Sequence, residues 1–292
     1  MSGSTMSRIL ERCSWTTDLY IGANWDPSLR KNDGINLENN REIFKASDSA
    51  SVAIDWLDLP DDVVKKYQGL LIIFAHGLTG HIAPKLIESA HAVAFSHKLG
   101  VCVVTVQGAL GFSNLNELKA VTDRIALHVG PSLPKIGVGF SIGGIPALEF
   151  FAQDKGFLTG MILISCPLNL SKFLSQEECT VTNAMLVSGK RLLVEHAESH
   201  SLSEFLAAVK VDSAASDAYS SLESVKRPTL LIYALDDASI NFSHNLDLVR
   251  VCRNPHIAVA VLESGGHCEF FSATRSDWLM HAVSEFGLNC TR

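Results

Sequence analysis

A chain of 292 residues that is 47% apolar can bury one large core, and it has room for a single α/β domain with an insertion rather than two full-sized enzyme domains. Its formal charge of −7, with no basic tract, weighs against a nucleic-acid footprint. The seven cysteines, at positions 13, 102, 166, 179, 252, 268 and 290, form no CxxC pattern, which is the usage of reduced, mostly buried thiols and suggests a cytoplasmic compartment.

In chain order, residues 1–40 are polar and irregular and read as an N-terminal arm. They hold no apolar h-region of a secretory signal, and no apolar run anywhere reaches bilayer-spanning length, so no transmembrane segment is expected, although peripheral membrane contact through apolar loops is compatible with the sequence. REIFKA and SVAIDWLDL, separated by SDSA, predict an antiparallel hairpin that Pro60-Asp61-Asp62 ends. GLLIIFAHG, at 69–77, is continuously apolar and branched, as a strand covered on both faces must be. Alternation follows: a helix over Pro84–Lys98, a strand over 101–108, a helix over Asn114–Val129, a strand over Lys135–Phe140, a helix over Ile142–Gln153 and a strand over Leu158–Ser165. Between Cys166 and Pro228 the alternation stops, and residues 167–228 read as an inserted helical cap. It resumes with a strand over Leu230–Leu235, a helical stretch over Asn241–Arg250, a strand over Ile257–Leu262 and a closing helix from about Ser276 to Phe286. The core is therefore expected to comprise 41–166 and 229–292.

Chemistry concentrates at Gly139-Phe140-Ser141-Ile142-Gly143, a GxSxG run between a strand and a helix. So tight a turn lifts a serine hydroxyl clear of the sheet, and Gly139 and Gly143 are expected to prevent side-chain clashes around it. Ser141 as a neutral alcohol needs a base, and that base needs a carboxylate to hold its tautomer. Both residue types follow in the order such an elbow demands: Asp236 and Asp237 close one late strand, and His267 follows Gly265-Gly266 after the next. Either aspartate satisfies that order. An oxyanion hole is expected from the backbone N–H groups of Leu78, in HGLTG after the first central strand, and of Ile142. His76 and His81 lack metal-ligand spacing, no GxGxxG or P-loop is present, and neither metal nor cofactor is expected. Cys268 reads as a bystander thiol.

The motifs REIF, VAIDWLD, FAHGLTG, GVGFSIGG, SLSEF, PTLLIYALDD and SGGHCEFF together resemble the α/β-hydrolase superfamily, and more closely its AB-hydrolase-4 or YheT-like branch, which includes eukaryotic lipid serine hydrolases. The resemblance runs from about Arg41 to the C terminus. It implies an α/β-hydrolase fold, a mostly parallel central sheet with helices on both faces and an inserted helical cap. It also implies a serine esterase acting on carboxylic esters of small or medium acyl chains or on lipids, without a cofactor, through Ser141, Asp237 and His267. Within the DD pair it is this resemblance that selects Asp237. The chain departs from the family at Val106-Gln107-Gly108-Ala109, where an arginine-containing turn is usual, and at Ala238, where the family has proline. Two other functions would use the same residues: a non-catalytic ligand-binding protein on this fold and an acyltransferase.

Overall fold

The computed structural model describes residues 40–48, 50–58, 60–74, 84–107, 115–154, 156–169, 218–237, 240, 242, 251, 253–268 and 276–291. The expected arm over 1–39, the oxyanion turn around Leu78, the VQGA turn beyond Gln107, most of the expected cap and the helical stretch 241–250 lie outside them.

Among the described residues, eight strands form one sheet: β1 (Arg41–Lys45), β2 (Ser51–Trp56), β3 (Gly69–Phe74), β4 (Leu99–Gln107), β5 (Lys135–Phe140), β6 (Gly160–Ile164), β7 (Thr229–Ala234) and β8 (Ile257–Leu262). Their order across the sheet is β1-β2-β4-β3-β5-β6-β7-β8. The hairpin β1–β2 and the β2–β4 pair are antiparallel, whereas every pair from β4 to β8 is parallel. Parallel strands need crossovers, which supply α2 (Pro84–Ser96), α3 (Leu115–Val129) and α4 (Gly144–Gln153). α1 (Pro60–Lys66) precedes β3, α5 (Ala218–Ser224) precedes β7, and α6 (Ser276–Cys290) closes the chain.

The continuous apolar runs are explained by cover on both faces. Leu70, Ile72 and Phe74 of β3 face a cluster that holds Leu118 and Ile125 of α3 and Leu148 and Phe151 of α4. Leu71 and Ile73 face the opposite cluster, with Ala90 of α2 and Met280, Val283 and Phe286 of α6. Every residue of β3, β5, β6 and β7 is buried, so neither face can carry the polar alternation of a half-exposed strand.

Several boundaries differ from the sequence expectations by one or two residues, among them α2, which stops at Ser96, α4, which starts at Gly144, and β6, which spans Gly160–Ile164; three further differences are more telling. Pro60-Asp61-Asp62 ends the hairpin and also starts α1, because proline fits the first helical turn and the two acids favour a helix N-terminus. β4 begins at Leu99 rather than 101, since Leu99 and Gly100 already pair with Gly69 and Leu70 of β3, and Gly100 lies against Val63 of α1. α6 runs one turn beyond Phe286 to Cys290, with Gly287 lying against Leu71.

Ion pairs among the described residues tie the outer elements down. The buried Asp55 carboxylate receives the Arg41 guanidinium at 2.6 Å across the hairpin. Arg227, just ahead of β7, donates to Asp154 Oδ2 at 2.8 Å, to Leu158 O at 2.6 Å and to the Phe151 carbonyl, and its guanidinium lies over the Phe151 ring. The C-terminal end of α4 is thereby fixed to the approach to β7.

Candidate active site

Strand register decides which loops meet. Phe140 at the end of β5 pairs with Ile164 at the end of β6, Ile164 pairs with Ile232 of β7, and Ala234 at the end of β7 pairs with Leu262 at the end of β8. The residues that follow these strands therefore emerge over one edge of the sheet, the C-terminal edge where parallel α/β folds hold their ligands. Ser141, Asp237 and His267 all stand there.

Ser141 is the first residue after β5 and adopts φ +50, a left-handed conformation that costs a non-glycine residue roughly 1–3 kcal/mol and persists where its surroundings enforce it. A 3-10 turn over Ser141–Gly143 leads straight into α4. The crossing of β5 and α4 is closest at Gly139 and Gly144: a Cβ on Gly139 would stand 2.5 Å from Gly144 Cα, and one on Gly144 would overlap Cys166 Sγ. Sequence reasoning singled out Gly139 and Gly143 but missed Gly144, because the partner that forbids its side chain, Cys166, lies in the segment after β6.

Ser141 Oγ is 2.9 Å from His267 Nε2. On the other side of the ring, Nδ1 is 3.0 Å from Asp237 Oδ2 and 3.2 Å from Oδ1. A carboxylate only accepts, so Nδ1 carries the proton and donates, leaving the Nε2 lone pair to accept from the serine hydroxyl. The Asp237 side chain is 1% exposed and that of His267 is 20% exposed. Asp237 Oδ1 also accepts the Ile240 N–H at 2.8 Å, which orients the carboxylate.

Burial of the imidazole works to lower the His267 pKa. The adjacent Cys268 and the Asp237 carboxylate outweigh it, and the pKa is raised to about 10. The ionised Asp237 carboxylate beside Nδ1 supplies the opposing charge. Cys166 beneath the elbow is fully buried, and burial drives its thiol well above the usual range, so it is a packing residue.

Ile142, the residue after Ser141, is buried at the start of the helical turn, where backbone N–H groups lack intrahelical partners. Leu78, its expected counterpart, lies outside the described residues. Asp236 accepts the backbone N–H groups of Gly265 and Gly266 at 2.8 and 2.9 Å. Nothing in the DD dipeptide alone signals that division. Among the described residues there is no cluster of three or more His, Cys, Asp or Glu side chains able to hold a metal ion, and no helix is long and apolar enough to cross a membrane.

The closely spaced hydroxyl, imidazole and carboxylate can relay a proton from a serine to a buffered ring, the requirement of nucleophilic acyl chemistry. No protein-family profile matches the sequence. No curated protein matches it either. Solved structures do. The chain resembles the Pyrococcus furiosus esterase Pf2001 at 16% identity, with a TM-score of 0.58 over 90% of this chain and 93% of that one. It resembles Est1E from Butyrivibrio proteoclasticus at 13% identity, with a TM-score of 0.59 over 86% of this chain and 98% of that one. An N-formylmaleamic acid deformylase from Pseudomonas putida is similar at 15% identity, with a TM-score of 0.53 over 84% of this chain and 99% of that one. With the parallel sheet and its two helical faces, these likenesses show that the protein has the α/β-hydrolase fold.

Proposed function

We propose that the protein is a serine hydrolase of carboxylic esters, with Ser141 as nucleophile, His267 as general base and acid, and Asp237 as the carboxylate that holds the imidazole. The observation that carries this reading is the chain of contacts from Ser141 Oγ through both ring nitrogens of His267 to Asp237. That two neighbours in fold are named esterases supports the ester class. The motifs FAHGLTG and GVGFSIGG favour the AB-hydrolase-4 or YheT-like branch, and with it esters of small or medium acyl chains or lipids.

In the reaction, Ser141 Oγ attacks the ester carbonyl carbon as its proton passes to His267 Nε2. The carbonyl oxygen becomes an oxyanion, which the N–H groups of Ile142 and Leu78 stabilise. Collapse expels the alcohol oxygen, which takes the proton from His267, and leaves an acyl-Ser141 ester. Water then attacks that ester while giving one proton to Nε2. A second collapse returns this proton to Ser141 Oγ and frees the acid. Asp237 stays ionised throughout and offsets the charge of the imidazolium. The expected insertion over 167–228 covers the acyl side and sets chain-length preference.

The test is labelling by a fluorophosphonate read by intact mass, with turnover of p-nitrophenyl esters of graded length. Wild type should take up one phosphonyl group, and Ser141→Ala should take up none and lose turnover by about ten-thousandfold or more. Undiminished labelling of Ser141→Ala would remove Ser141 from the role. Formation of a new ester when an alcohol competes with water would make the protein an acyltransferase.

A further inference from the structure

The two acids that follow β7 are both engaged with the His267 segment, in different ways. Asp237 meets the imidazole itself at Nδ1. Asp236 meets the main chain just ahead of it: one carboxylate oxygen, Oδ1, accepts the Gly265 N–H at 2.8 Å and the Gly266 N–H at 2.9 Å. Two consecutive donors converging on one oxygen fix the plane of the peptide that joins the glycines, because rotating it would break one of the bonds.

This segment is conformationally demanding. Gly266 has φ +58 and Cys268 has φ +60, so left-handed residues flank His267 on both sides. The β7–β8 ladder extends only one residue past the strands, through Leu235 N–H to Leu262 O at 2.8 Å. Consecutive glycines beyond it have a wide choice of backbone states, and an unrestrained Gly265-Gly266 would let the imidazole wander from the geometry that reaches Ser141 and Asp237 together. Asp236 is the next residue after that last ladder contact, so the turn that carries the carboxylate partner of His267 also sets the backbone from which His267 projects.

We propose that Asp236 is a positioning residue for His267, holding the Gly265-Gly266 turn so that the imidazole lies in line between Ser141 and Asp237. The role rests on the reading of His267 as general base, and it acts through hydrogen-bond acceptance rather than through charge. An amide oxygen at the same place should therefore serve nearly as well as a carboxylate.

Asp236→Ala and Asp236→Asn separate these effects. With p-nitrophenyl butyrate, Asp236→Ala should lower kcat by about 10- to 100-fold while KM stays within about twofold. Asp236→Asn should recover most of the loss, since its Oδ1 accepts the same two bonds. Fluorophosphonate labelling of Ser141 should reach the wild-type end point in both variants, but more slowly in the alanine one. The downfield proton resonance of His267 Nδ1–H, identified by its loss in His267→Gln, should persist in the asparagine variant and be lost or displaced in the alanine one. Wild-type kcat in Asp236→Ala would overturn the proposal. So would equal losses in the two variants, which would assign the effect to charge. If Asp236→Ala does not fold, near-wild-type kcat and resonance in Asp236→Asn uphold the acceptor role, and loss of both overturns it. A wild type that neither turns over esters nor takes up fluorophosphonate would sink the hydrolase reading instead, while the resonance still reports on Asp236.

Discussion

His267 lies between opposing influences, and their balance should be visible in pH profiles. A protonated imidazole cannot take the Ser141 proton, so turnover should fall as pH drops through the His267 pKa. Burial lowers that pKa, but Cys268 and Asp237 together raise it to about 10, above the ordinary histidine value near 6.5. The acidic limb of kcat/KM should accordingly lie to the alkaline side of a free histidine. A kcat/KM profile for p-nitrophenyl ester hydrolysis whose acidic limb lies at or below about 6.5 would show that the ring is not held in this way.

At the scale of elements, the decisive contact is the crossing of β5 and α4 against β6. A methyl group on Gly139 would press on the Gly144 backbone, which cannot yield without displacing the start of α4. On Gly144 the same group would meet a side-chain sulfur, Cys166 Sγ. Gly139→Ala should therefore cost about 3 kcal/mol in urea unfolding, together with activity, and removing Cys166 should not restore either. Gly144→Ala should be comparably destabilised alone but partly rescued by Cys166→Ala, whose shorter side chain vacates the overlap. Equal behaviour of the two glycine variants in the Cys166→Ala background would refute this distinction between backbone and side-chain obstruction.

At the scale of the whole molecule, two shifted histidines among the described residues predict opposite pH responses of stability. The raised pKa of His267 means that its stabilising contribution is complete below the unfolded value near 6.5 and is lost as pH rises through about 10. His97 on the α2 side lies 3.3 Å from His281 of α6, and burial together with that neighbour lowers its pKa. Its contribution is present above about 6.5 and is lost as pH falls below that value. Thermal midpoints of wild type minus His267→Gln should thus decline between neutral and alkaline pH, while those of wild type minus His97→Gln should decline toward acid. Parallel curves for wild type and either variant would show that the residue in question carries no such linkage.

Much of the architecture was legible in the sequence because burial on both faces demands uninterrupted apolar strands: GLLIIF, KIGVGF and TLLIYA could serve little else, and the intervening helical spacing implied parallel pairing. The elbow at Ser141 was legible for a similar local reason, since a strand, a glycine-flanked turn and a helix lie consecutively. What no local pattern contains is distance between residues far apart in the chain. The register of β5, β6, β7 and β8 brings His267 to Ser141 across 126 positions. The same packing directs Asp237 to the ring and Asp236 to the main chain, although the two acids are adjacent and chemically identical. It also gives Gly144 its constraint, because the obstructing sulfur belongs to the segment that follows β6. Sequence determined the strands, the helices and the residue types available for chemistry, as each depends on neighbours along the chain; only tertiary structure decided which of those residues meet, because strand pairing sets their positions in space.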